Sequence, residues 1–196
     1  MAPRQRFLLI AVVALAAIAI SAQVALSSPW LGLELSPHDG PEGLRVDRVH
    51  PDSPNAGVIR VGSVIVGLQA ADGRQIPLHG NLVMEEPDLL SHTDLNLFMK
   101  RQTELDQALR SGGARFVLAS GDQVPVVAIY TPWRQLSGGF SIHTFYGLIA
   151  LLVAVGIWAF RPKSAATRLY ALSGVATMVN TLTLAIYGDR EFVLSG

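Results

Sequence analysis

The chain has 196 residues, 50% of them hydrophobic and only 15% charged, an apolar balance that excludes an ordinary soluble domain of this length. Its 15 basic and 15 acidic side chains cancel, so no basic surface advertises nucleic acid or another strongly anionic polymer. Cysteine is absent, which removes disulfides, thiolate catalysis and thiolate-held metals while leaving the compartment open.

The first element is the uncharged run Phe7 to Leu26, long enough as a helix to cross roughly 30 Å of hydrocarbon once. Arg4 and Arg6 precede it and Ser27, Ser28 and Pro29 follow, so the charge bias places the N-terminus in the cytoplasm and exports what comes next. A cleaved signal peptide is the alternative, because a basic start, an apolar core and Ser21-Ala22 resemble one. Ile20 and Gln23 fit cleavage poorly and the apolar run is long, which favours an uncleaved anchor over residues 1–28.

Residues 29–142 read as one exported domain of mixed α and β character. Trp30 to Leu35 alternates around Gly32, and Gly43 to Val49 alternates apolar with polar in the period of a half-buried strand. Pro51 to Gly57 predicts a turn and a short helical stretch, and Val61 to Leu68 a strand that closes a hairpin through Asp72-Gly73. The segment from His79 to Leu90, with Glu85, Glu86, Pro87 and Asp88, reads as a solvated acidic insertion. Ser91 and Asp94 have capping spacing for a helix whose stripe is Leu95, Phe98, Met99, Leu105 and Leu109, ended by Gly112-Gly113. Ala114 to Leu118 and Val124 to Ile129 complete the domain as strands joined at Ser120-Gly121-Asp122.

A second apolar run, Thr144 to Phe160, ends at Arg161, Lys163 and Arg168 and therefore returns to the cytoplasm (span 143–161, loop 162–168). A third, Leu169 to Tyr187, crosses again (span 169–188) and leaves 189–196 outside. Tyr146, Trp158, Tyr170 and Tyr187 fall near the expected interfaces. Thr177, Asn180, Thr181 and Thr183 place polar groups inside the third span, and Gly174 and Thr177 to Thr181 suit close helix packing. Ordinary bundle packing and an oligomer or signalling interface both fit that pattern. A chain that stops outside after a third helix reads as the front end of a longer protein.

Leu31-Gly32-Leu33, the V-x-P-x-S-P pattern from Val49 ending in Gly62, and the Asp72-Gly73 hairpin together resemble the bacterial type of PDZ domain found in envelope proteases and receptors. The resemblance implies an α+β fold: a PDZ-like, partly open β-barrel with two helices, here accompanied by three transmembrane α-helices. Ser63 departs from the aspartate common at that position in the family. The resemblance further implies that a peptide or protein segment adds as a strand beside the second helix. Trp30, Leu31, Gly32, Leu33 and Leu35 are then the strand-side peptide-binding candidates, and Asn96, Leu97 and Lys100 the helix-side ones. Many carboxylate-binding members carry a basic residue before the loop; Ser27, Ser28 and Pro29 stand there, so both free C-termini and internal peptides stay open.

No catalytic residue is assigned. Neither a G-N-S-G-G nucleophile setting nor H-E-x-x-H occurs, Ser111-Gly112-Gly113 and Ser137-Gly138-Gly139 read as turns or caps, and His38, His50, His79, His92 and His143 lack ligand spacing. No cofactor is implied. The layout of span, exported domain and two further spans resembles the N-terminal sensor region of bacterial histidine kinases, without their phosphoacceptor or ATP-binding motifs. The expected function is thus a peptide-binding sensor input module in the bacterial cytoplasmic membrane. Membrane lipid and a second copy of the chain are candidate partners, and nucleic acid is not. The alternatives are an envelope adaptor that recruits substrates to a separate protease, and an assembly subunit whose groove is filled by its own chain.

Overall fold

The structure, a computed structural model, describes residues 3–38, 43–83, 90–136, 138–188 and 190. In chain order the elements are α1 (Pro3–Leu26), β1 (Pro29–Trp30), β2 (Leu33–Pro37), β3 (Leu44–Val49), β4 (Val64–Gln69), β5 (Gln75–Pro77), α2 (His92–Ser111), β6 (Arg115–Leu118), β7 (Gln123–Pro125), β8 (Ile129–Tyr130), α3 (Gly138–Phe160) and α4 (Ala165–Gly188). Short 3-10 turns lie at Gly80–Val83 and Trp133–Gln135. The described residues divide into a helical unit, up to Leu26 and from Trp133 to Gly188, and a β-rich unit, Ser27–Pro132 with Arg190.

In the helical unit α1, α3 and α4 are each long and apolar enough to cross a membrane, over Arg4–Leu26, Gly138–Phe160 and Ala165–Gly188. Helices α3 and α4 start upstream of the apolar runs at Thr144 and Leu169. Hydropathy marks only the greasy part of a helix, whereas backbone hydrogen bonding continues through its polar first turns. The link between them is tight: Ser164 N–H donates to the Arg161 carbonyl at 3.2 Å, and the Ser164 carbonyl accepts from Arg168 N–H at 3.2 Å. Two glycines set the α3–α4 distance, since a Cβ on Gly174 would collide with Ala154 and one on Gly147 with the Thr181 hydroxyl. Ala14, Leu151, Val155, Met178 and Leu182 bury their side chains between the three helices.

Gly174 and Thr181 thus serve close packing as anticipated, but Thr177 does not. It is exposed, and its hydroxyl donates to its own helix at the Ser173 carbonyl, 2.9 Å. Thr183 does the same with the Val179 carbonyl at 2.9 Å. A threonine can satisfy its hydroxyl one turn back without any neighbour, so a polar atom in a span does not by itself require a partner helix.

The β-rich unit is built on a six-stranded antiparallel sheet with path β2-β3-β4-β6-β7. Strand β3 takes the first part of one edge of β4 and β5 the second, while β6 follows the other edge. The alternation read in β3 holds, with Leu44 and Val46 inward and Arg45 and Asp47 outward. The β4–β5 hairpin turns at Asp72-Gly73, where Gly73 has φ +87°, Gly73 N–H donates to Ala70 O and Asp72 Oδ1 accepts from Arg74 N–H. At the other end of β2 to β3 the register slips by one residue beside Glu34 and Leu35, opposite Asp47.

Three expectations change. Residues 51–57 form successive tight turns, not a helix, so α2 is this unit's one α-helix among the described residues. The Ser53 hydroxyl takes the Asn55 N–H, and both side chains are drawn to the distant Leu31 and Val127 main chain, which fixes the segment as turns. The final strand is split: β7 pairs with β6, whereas β8 leaves the sheet to pair with β1, matching Pro29 with Tyr130 and Trp30 with Ile129. Helix α2 is capped as its spacing predicts, the Ser91 hydroxyl accepting from Asp94 N–H at 3.2 Å and Gly112 closing it at φ +73°. Its inward face, however, is Phe98, Gln102, Leu105, Asp106, Ala108 and Leu109. Met99 lies outside, 48% exposed, and Gln102 takes the inward place, its amide donating to the Leu82 carbonyl at 3.4 Å. The acidic stretch Glu85-Glu86-Pro87-Asp88, Ser137, and the tail from Glu191 lie outside the described residues.

Candidate functional site

The segment that joins β1 to β2 is fixed from both sides. The Leu31 carbonyl accepts from the Ser53 hydroxyl at 2.6 Å and from the Asn55 amide at 2.9 Å. One residue later the Gly32 carbonyl accepts from His50 N–H at 2.7 Å. A trans peptide points its N–H opposite its C=O, and no cis peptide is present. The N–H groups of Gly32 and Leu33 are therefore turned away from Ser53, Asn55 and His50, toward the side of β2 that does not pair with β3.

Gly32 is required here twice over. Its φ is +71°, and a Cβ would lie 2.5 Å from Ser53 Cβ and 2.8 Å from Ser53 Cα. The close approach is thus to the protein's own Pro51–Gly57 turns. Ser53 and Asn55 are both buried and form the platform under the loop, with Asn55 also accepting from Val127 N–H at 2.8 Å and donating to Val127 O at 2.9 Å. These two residues were within the pattern read from sequence but carried no role there. A short polar pair inside an S-P-N turn, next to a hydrophobic-Gly-hydrophobic loop, is the signal that could have found them.

Of the strand-side candidates, Trp30, Leu31 and Leu33 have buried side chains and contribute to the apolar core rather than to a free surface. Trp30 stands edge-on to the His50 ring at 5.7 Å, bracing the loop beside the Gly32 carbonyl. The main chain of residues 31–33 is buried with them. Leu35 is half-buried on β2, a terminal strand of the sheet. On the helix side Asn96, Leu97 and Lys100 are all exposed on the first half of α2, Leu97 by 46%. The Gly80–Val83 turn packs against both β2 and α2, with Leu82 fully buried.

The second half of α2 reaches the end of the β-rich unit where β1 and β8 pair. Arg110 donates to Asp106 at 2.7 Å and to the Ser27 carbonyl at 2.8 Å, beside a cavity of about 390 Å³ that Pro29, Leu109, Ala128 and Tyr130 help to line. Away from this loop, the Ser36 hydroxyl and then the Arg45 guanidinium hold exposed Asp47 below the usual carboxylate range. Among the described residues no three His, Asp or Glu side chains come together as a metal site needs. Comparison with known protein families, with curated proteins and with solved structures finds no match to this chain.

Proposed function

We propose that the β-rich unit is a PDZ-like, non-catalytic peptide-binding domain, held outside a bacterial cytoplasmic membrane by a multi-pass anchor and serving as the N-terminal input module of a sensor histidine kinase. One observation carries the reading: β2 is a terminal strand of the sheet, its entry loop is held by Ser53, Asn55 and His50, and the Gly80–Val83 turn packs on both β2 and α2. A peptide laid along β2 extends the sheet from its terminal strand, and the exposed Asn96, Leu97 and Lys100 on α2 supply side-chain selection. The Arg4 and Arg6 start and the Arg161, Lys163 and Arg168 loop support the orientation.

The test uses the full chain in detergent with labelled peptides bearing hydrophobic ends, each with a free or an amidated C-terminus. Saturable binding that Leu97→Glu weakens about tenfold, a loss of one good apolar contact, is the expected result. No binding of either peptide by a folded chain overturns the reading. Gly32 is unsuited to this purpose, because any side chain there strikes Ser53 and spoils the loop itself.

A second reading, the groove filled by its own chain, is favoured by Arg190. Its guanidinium donates to the Leu82 carbonyl at 3.0 Å and lies 5.9 Å over the Phe98 ring of α2, so Arg190, beyond α4, contributes to this unit. Under that reading Arg190→Ala strengthens binding of an added peptide. The adaptor alternative separates at the gene: an in-frame kinase core past Gly196 favours sensing, and a neighbouring protease gene favours recruitment.

A further inference from the structure

We infer that the helical unit carries a binding site for one anionic phospholipid, in a groove between the start of α1, the end of α3 and the start of α4. The groove has a volume of about 610 Å³ and is lined by Arg6, Lys163 and Arg168 together with the apolar Ile10, Val155, Trp158, Leu172 and Val175. Its chemistry is two-part. Cationic side chains from the start of α1, the α3–α4 link and the start of α4 meet on one cavity, and hydrocarbon-like walls continue from them along the helices.

The charge at this end is not balanced from within. Residues 1–26 and 133–188 contain no aspartate or glutamate at all, while Arg4, Arg6, Arg161, Lys163 and Arg168 gather near the same helix ends. Arg168 is pre-set, its Nε donating to the Pro162 carbonyl at 2.9 Å, and Arg6 is held 5.4 Å over the Trp158 ring. Both contacts fix a guanidinium without neutralising it. Lys163 has no hydrogen bond or ion pair among the described residues. Cations grouped in a partly apolar groove require an anion from outside the unit, and the anion that also wets apolar walls is a phospholipid: phosphate at the basic rim, acyl chain along Ile10, Val155, Leu172 and Val175. A free phosphate ion would use the rim and leave the walls bare.

The experiment takes the full chain in a mild detergent and counts retained lipid by native mass spectrometry after adding phosphatidylglycerol or phosphatidylcholine of the same acyl chains. Phosphatidylglycerol should be retained over phosphatidylcholine by about tenfold or more, and Lys163→Gln should cost roughly fivefold of that, the usual worth of one basic residue facing anionic lipid. Lys163→Arg should retain it, which shows that the fold survives change at this position. Ala171→Trp keeps every charge but fills the lined wall, and should also lose the lipid; Arg134→Gln, a cation not lining the groove, should not. Excess inorganic phosphate should fail to displace the lipid. Equal retention of the two lipids overturns the inference, as does displacement by inorganic phosphate with no effect of Ala171→Trp, which would mark a plain anion site.

Discussion

Asn55 and Val127 are separated by most of the β-rich unit in sequence, yet the Asn55 side-chain amide closes a two-bond ring with the Val127 main chain, accepting at 2.8 Å and donating at 2.9 Å. The same amide nitrogen also reaches the Leu31 carbonyl. Asn55, 1% exposed, therefore ties the segment after β7 to the loop before β2. It does in three bonds what a strand pair would do at this place.

Asn55→Ala leaves the Val127 main-chain groups and part of the Leu31 carbonyl without partners, and should destabilise the protein by about 2–4 kcal/mol. Asn55→Asp should be worse, since a carboxylate would face two carbonyl oxygens with no donor to offer them. Thermal unfolding checks the order of the three proteins, and hydrogen exchange should quicken first at the amides of residues 31–33.

Gly32 and Gly73 separate backbone strain from collision. Both have positive φ, +71° and +87°, but a Cβ on Gly73 meets nothing while one on Gly32 meets Ser53. Gly73→Ala should cost about 1 kcal/mol, the left-handed penalty alone. Gly32→Ala should cost roughly 3 kcal/mol or more, because overpacking is added to it. Equal costs, read from denaturation midpoints, would mean that the Ser53 contact is soft.

Gly147 and Thr181 should behave as a coupled pair. Gly147→Ala alone pushes α3 off α4 at the Thr181 hydroxyl and should lower stability in mixed micelles by about 1–3 kcal/mol. Adding Thr181→Ala removes the obstructing atom and should restore most of the loss, a non-additivity that a double-mutant cycle measures directly.

Asp47 gives the chain a small acid-sensitive component. Its pKa is lowered in the fold by the Ser36 hydroxyl and Arg45, so the folded state favours the carboxylate. That stabilisation is complete above the usual carboxylate value and is lost as pH falls through the lowered one. The stability difference between the natural chain and Asp47→Asn should therefore be constant above about pH 4 and fade in stronger acid. A difference that grows on acidification would show the opposite sign.

What could be read before the structure was whatever local chemistry decides. The Ser91 cap, the Gly112 stop, the Asp72-Gly73 hairpin and the three apolar helices each follow from a few neighbouring residues, and all are present. The turns at 51–57 were misread as helical because their cause lies in Leu31 and Val127, far away in sequence, which draw the Ser53 and Asn55 side chains into backbone bonds. The same distance effect hid the inward Gln102, which a stripe of apolar letters passes over in favour of Met99 although Leu82 O makes its burial tolerable. The split of the last strand was equally invisible, since β8 answers to β1 and not to its neighbour.

The pairing of β1 with β8 has a mechanical meaning. The Ser28 carbonyl accepts both from Thr131 N–H at 3.2 Å and from the Thr131 hydroxyl at 3.1 Å, just outside that two-residue ladder. Tension that pulled the two flanking ends of this unit apart would therefore meet these rungs before it reached β2 and β7, and Arg110 on the Ser27 carbonyl and Asn55 between Val127 and Leu31 would share the pull.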